Sequence, residues 1–183
     1  MNMLTQAQKE DTLKTTQKWL ETIIIGLNLC PFAKAPFQKG QVHFEIAEAN
    51  TMKGFVEAFI KEVQRLDTQP SIETTLMIVP TLGNIEHFQS FMQFCEETII
   101  INHWGSKYQI VSFHPLQRLQ GFASDSPRNL ISIAPYPIVH ILRVASVETL
   151  GKNLKEDVQV KNDQILNNLN SEEVKMLWYR IVS

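Results

Sequence analysis

No stretch of this 183-residue chain offers the ~20 consecutive apolar residues needed to cross a bilayer. The triplets Ile23–Ile25 and Ile99–Ile101 stand among polar and charged neighbours. Runs of lysine and arginine are absent too. With 17 basic against 19 acidic residues the formal net charge is −2, so the long-range field that draws a protein onto nucleic acid or anionic lipid is missing. The N-terminal "MNMLTQAQKEDTLK" has neither the apolar stretch nor the cleavage signature of a signal peptide. These absences predict a cytoplasmic protein with a small-molecule ligand and neither a nucleic-acid nor a membrane partner.

Cysteine is scarce as well. Cys30 and Cys95 could form one bridge at most, and in a reducing compartment they are expected as free thiols. The chain contains no CxxC, no HExxH and no HxE followed by PCxxC, which weakens any metal reading from motif alone. It has no Walker A, GxGxxG or GxSxG sequence either, which lowers nucleotide hydrolysis, dinucleotide oxidoreduction and ordinary α/β-hydrolase chemistry. There is no internal repeat and no Gly/Ser linker, so one domain is expected over residues 1–183. A composition of 44% hydrophobic and 20% charged residues is that of a chain able to bury a substantial core.

What is present alternates between helical and strand periodicity. Trp19, Leu20, Ile23, Ile24 and Leu27 form one apolar face of a first helix that starts before residue 10 and ends near Asn28, where Pro31 stops it. In "VHFEIA", Val42, Phe44 and Ile46 alternate with His43 and Glu45, as in a strand with one wet face. A helix over about 52–67 carries Phe55, Val56, Phe59, Ile60 and Val63 on one side. "TTLMIVP" is apolar throughout and predicts a strand covered on both faces. Asn84 suits the N-cap of a third helix burying Phe88, Phe91, Met92, Cys95 and Ile99, closed by Gly105. "YQIVSFHP" is a third strand. Strand, helix, strand, helix, strand at these lengths predicts an α/β fold with a small, mainly parallel sheet of three strands and packed helices. Residues 116–134 read as a long irregular loop. "PYPIVHILR" predicts a fourth helix, with Pro137 at its first position and His140 and Arg143 sharing a face three residues apart. "VQV" at 158–160 suits a short fourth, edge strand, and Ser171 caps a last helix.

In open parallel sheets ligands bind beyond the carboxyl ends of the strands, so the candidate site is placed there. His114 ends the third strand and leads into the long loop. A histidine at a strand end is, however, more often a structural, hydrogen-bonded group. His140 near a helix start would be kept neutral by the helix dipole, and Arg143 could hold a carboxylate or phosphate. A solvated helix face explains that pair equally well. Cys30 faces opposed arguments. At the negative end of the first helix a thiolate is disfavoured, whereas as the N-cap of a turn beginning at Pro31 it would gain from free N–H groups. Cys95 falls on a core stripe. Asp125 could act as a carboxylate partner, or as an ordinary turn former.

The tryptophan-bearing first helix running into "GLNLCPFA", "ETT" before the second strand, "SFHP" ending the third and "PYPIVHILR" together resemble the bacterial DUF1415 family, a domain of unknown function. The likeness covers most of the chain, in the family's order and approximate spacing. It singles out Cys30, Pro31, Phe32, His114, Pro115, Asp125, Asn129, Pro135, Tyr136, Pro137, His140 and Arg143. The chain departs from the family pattern at Ser132, Ile133 and Ala134, where an Asn-Arg-Ser triplet is usual, and at Gln117, where an aromatic residue is usual. If that arginine serves an anionic substrate, this member binds something else or does less.

Three readings follow. The first is a small-molecule enzyme with Cys30, His114 and His140 as catalytic groups and Arg143, Asp125, Asn129 and Tyr136 toward the substrate. The second is a metal-binding protein that uses Cys30, His114 and His140 as ligands for a transition metal such as zinc, iron or copper. The third is a non-catalytic binding or assembly domain in which the Cys-Pro-Phe and Pro-Tyr-Pro segments lock loops against the core.

Overall fold

A computed structural model describes residues 3–149 and 151–183. In chain order, helix α1 (Gln6–Trp19) runs into a π-helical stretch (Leu20–Ile25), followed by α2 (Lys34–Gln38), β1 (Val42–Ile46), α3 (Met52–Thr68) and β2 (Thr74–Ile78). Then come α4 (Ile85–Ile101), β3 (Tyr108–Phe113), a 3₁₀ turn (Pro127–Ile131), β4 (Ile138–Arg143), α5 (Val144–Glu148), α6 (Gly151–Asn167) and α7 (Ser171–Val182). Local chemistry starts several of these elements. Thr5 and Gln8 form a reciprocal capping box on α1, the Thr51 hydroxyl accepts from Gly54 N–H ahead of α3, and Asn84 Oδ1 accepts from His87 N–H ahead of α4. Each satisfies a donor that the first helical turn leaves free.

The sheet, expected to be mainly parallel with three strands and a short fourth at the edge, is mixed with four, in the order β1-β2-β4-β3. β1 and β2 pair in parallel, whereas β4 lies antiparallel between β2 and β3. β3 therefore runs in the same direction as β2 without touching it. The segment "PIVHILR", expected as a helix, is that inserted strand. Its residues Ile138, Val139 and Ile141 are fully buried, because a central strand is covered on both faces. A short apolar run of this kind has no period that separates helix from strand. Pro137 precedes the strand, where its missing N–H breaks no ladder bond, and its carbonyl accepts from Val79 N–H at 2.9 Å.

Both faces of the sheet are packed. On one, α3 and α4 bring Phe55, Phe59, Val63, Phe88, Phe91 and Cys95 against Met77, Val79, Val139 and Ile141. On the other, Trp19, Leu20, Ile23 and Ile24, with Leu166 of α6 and Ile181 of α7, cover Leu76, Ile78, Phe113 and Ile138. Trp19 anchors the second face. Its ring meets Phe113 edge-on at 5.1 Å, and its indole N–H donates to the Ile133 carbonyl at 3.0 Å.

Two further expectations are corrected. Residues 158–160 belong to α6 and form no edge strand. The N-cap of the last helix is Asn170, which closes a capping box with Glu173, and Ser171 is the first helical residue. The loop over 116–134 is partly ordered by Asn129. Its amide oxygen accepts from Leu119 N–H, and its nitrogen donates to the Ala123 and Ser124 carbonyls. Among the described residues, no helix is long and apolar enough to cross a membrane.

Candidate functional site

The first helix ends in a way that builds the wall of a cavity. Gly26 N–H bonds Glu21 O at 2.8 Å and Leu29 N–H bonds Ile24 O at 2.9 Å, both spanning five residues, so the last turns are π-helical and wide. A side chain at Gly26 would bring its Cβ to 2.4 Å from the Thr22 carbonyl oxygen, so only glycine fits. Asn28 then turns the chain at φ 53°. The following Leu29–Ala33 segment folds back over the sheet. It encloses a cavity of about 500 Å³ lined by Trp19, Ile24, Leu29, Phe32, Leu76 and Phe113, together with Cys30, Thr74, His140, Arg143 and others.

The cavity does not lie at the carboxyl edge of the parallel strands. It opens against Val42 and Thr74, which begin β1 and β2, and against His140 and Leu142 of the antiparallel β4. Reading β4 as a helix hid the strand that supplies its histidine and so pointed to the wrong edge.

His140 Nε2 lies 2.7 Å from Thr74 Oγ1, and that hydroxyl donates its single proton to the Ile141 carbonyl at 2.7 Å. The hydroxyl must therefore accept from the ring, which assigns the Nε2–H tautomer and leaves the Nδ1 lone pair available. Among the described residues, Nδ1 has no hydrogen-bond partner. Burial pushes the imidazole pKa down to about 4, so the ring is neutral at pH 7.

Cys30 is half-buried and free. Of the two opposed arguments from sequence, the one from free N–H groups operates on it, while the opposing effect comes from burial and not from the end of the first helix. Burial raises its pKa, and the N–H groups of Phe32 and Ala33 at the sulfur lower it. Burial is the larger effect, so the resting form is the thiol.

His114 is elsewhere. It is 0% exposed, its ring lies 5.1 Å from that of Phe88 in the α3/α4 core, and both nitrogens are engaged. Nδ1 accepts from Leu116 N–H at 3.0 Å, which leaves Nε2–H to donate to the Leu82 carbonyl at 3.3 Å. Burial lowers its pKa. Cys30 and His140 share a cavity on one face of the sheet while His114 is sealed on the other, so the structure does not gather the proposed three-ligand metal set.

Arg143 and His140 do not share a face either, since residues three apart on a strand point oppositely. The Arg143 guanidinium donates to the carbonyls of Leu66 at 2.7 Å and Ile72 at 3.0 Å. It closes the C-terminal end of α3. Tyr136 is half-buried against the second core, Asn129 is buried in its loop, and Asp125 is exposed. None of these three lines the cavity.

A second constellation lies on the opposite face of β1. His43, Glu45 and Glu62 of α3 place ligand atoms within 4.8 Å of one another and could hold a metal ion. The sequence contained its signal. His43 and Glu45 alternate onto one face, and Glu62 sits three residues after Phe59 and four before Leu66, a carboxylate on the apolar stripe of α3. It is 2% exposed.

No curated protein and no solved structure matches the chain. The family model described as "Protein of unknown function (DUF1415)" matches residues 11–176, a span containing Cys30, His140 and the whole sheet, and the chain belongs to the DUF1415 family.

Proposed function

We propose that the chain is a small-molecule enzyme that takes a largely apolar ligand into the cavity beneath Leu29–Ala33 and acts on it with Cys30 and His140. The observation that carries this reading is a single cavity with mainly apolar walls into which a thiol and an imidazole both open. Apolar walls bury a ligand of small-molecule size, and a few convergent polar groups orient it. His140 serves as the base, because its ring is held by Thr74 and has Nδ1 available; the burial that keeps it neutral also weakens it as a base, so the proton moves only as the new sulfur bond forms. The Cys30 thiol loses its proton to that base as its sulfur attacks an electrophilic carbon. In this reading His114 is a structural group, and Arg143 positions the start of β2 and the end of α3.

Incubation with p-nitrophenyl butyrate, a small apolar activated ester, tests the reaction class. The expected outcome is a burst of up to one equivalent of nitrophenolate per chain, as the Cys30 sulfur takes the acyl group and the nitrophenolate leaves. Cys30→Ser should abolish the burst, and His140→Gln should slow it by about 100-fold or more. A burst that survives both substitutions sinks the proposal. The raised pKa of Cys30 favours a second reading, a binding protein without chemistry, under which the ester binds and no burst is seen.

A further inference from the structure

On β1, His43 and Glu45 are two residues apart, so their side chains leave the same face of the strand, toward α3. Glu62 meets them from that helix. His43 Nε2 lies 3.4 Å from Glu45 Oε2 and 3.4 Å from Glu62 Oε2. This is longer than the usual 2.7–3.2 Å of a nitrogen–oxygen hydrogen bond. Nε2 is buried, and among the described residues it has no hydrogen-bond partner. A buried imidazole nitrogen aimed between two carboxylates without bonding either is costly, and the separation has another use. Four ligands at the ~2.1 Å typical of zinc with nitrogen or carboxylate oxygen stand about 3.4 Å apart at the corners of a tetrahedron.

We propose that His43, Glu45 and Glu62 form a binding site for a divalent transition metal, with zinc the ion that the donor set and spacing fit. Three protein ligands leave a fourth position for water or a ligand atom. Copper competes through its higher intrinsic affinity for nitrogen and oxygen donors.

Arg65 belongs to this arrangement. Its Nε lies 3.1 Å from each oxygen of Glu62, and its Nη2 lies 3.7 Å from Glu45 Oε2, so it offsets the carboxylate charge before metal arrives. A carboxylate accepts at four lone-pair positions, so Glu62 can keep Arg65 on its outer side while Oε2 turns to the ion. Arg65 is then a positioning residue of the kind that surrounds metal ligands. The site shares no side chain with the cavity, so its fate and that of the Cys30/His140 reading are independent.

The test uses full-length protein without a polyhistidine tag, dialysed against zinc chloride at pH 7.5 and then titrated against a chromophoric zinc chelator. One zinc per chain is expected. His43→Gln and Glu45→Gln should each weaken binding by more than about 100-fold, beyond the loss typical of an outer partner, while Cys30→Ser binds as the parent does. Cobalt(II) as a second probe should give the intense visible absorption of four-coordinate geometry. Absence of stoichiometric zinc in the parent protein overturns the proposal, as does binding unchanged in the two variants or binding lost in Cys30→Ser. If His43→Gln fails to fold, Glu45→Gln on the more exposed rim of the edge strand decides alone.

Discussion

Cys95 and His114 lie on one face of the sheet and Cys30 and His140 on the other, and the surroundings of the two pairs are opposite. On the α3/α4 face, Cys95 and His114 are both 0% exposed, and His114 spends both nitrogens on backbone groups. On the face under the π-helical turn, Cys30 and His140 open on a cavity, and one ring nitrogen has no partner among the described residues. Residue type is the same on both faces. The difference lies in how the first helix ends. There the widened turn and the left-handed Asn28 carry the Leu29–Ala33 segment over the sheet and leave space beneath it.

Thiol alkylation tests that contrast with the largest expected effect. Iodoacetamide at pH 8 should modify Cys30 in the folded protein, whereas Cys95 is reached only when the chain opens. With ordinary domain stabilities of ~5–15 kcal/mol, Cys95 should react more than about 1000-fold more slowly than it does in denaturant. Mass spectrometry of the digested protein reads both sites. Comparable labelling of the two cysteines under native conditions would mean that the α3/α4 face is not closed.

Deleting each histidine is the next test. His114→Ala leaves the Leu82 carbonyl and the Leu116 N–H without partners in a sealed place, at about 1–3 kcal/mol for each group, so a loss of about 2–5 kcal/mol is expected from urea unfolding. His140→Ala removes one bond, to Thr74, beside an existing cavity, and should cost about 1 kcal/mol. Equal losses would erase the distinction between a structural and an available ring.

Much of the frame was legible in the sequence. The first three strands, α3, and the Asn84-capped α4 follow from period two, period 3.6 and capping chemistry, all of which act over a few residues. β4 did not follow, because Ile138, Ile141, Leu142 and Ala145 satisfy a helical stripe as well as a strand, and what decided was the slot between β2 and β3, a tertiary fact. The same error placed His140 and Arg143 on one face and put the cavity at the wrong edge. Cys30 was legible as a residue at an element boundary, and so were the N–H groups that lower its pKa, but not the burial that raises it. That burial depends on segments more than 100 residues away, such as Asn162, whose amide donates to the Leu29 carbonyl.

The neutral state of His140 gives the last test, through the pH dependence of stability. Its pKa in the folded chain, about 4, lies below the ordinary 6.5, so between these values the unfolded chain binds a proton that the folded chain refuses. Stability is therefore unaffected by this group above pH 6.5, falls as pH drops through the window, and levels off below about 4. The full shift corresponds to about 3 kcal/mol, an upper value because the ring borders a cavity that can admit water. His114, whose pKa is also lowered, adds a loss of the same sign. Glu62, whose pKa is raised, acts oppositely, since its folded form takes up a proton more readily than its unfolded form. The informative quantity is thus the difference between two curves. Urea unfolding free energies of the parent and of His140→Gln, measured from pH 7.5 to 4, should converge as pH falls, with the parent losing more. Parallel curves would mean that the ring is protonated as readily inside the fold as outside it, and burial would then not be what keeps His140 neutral.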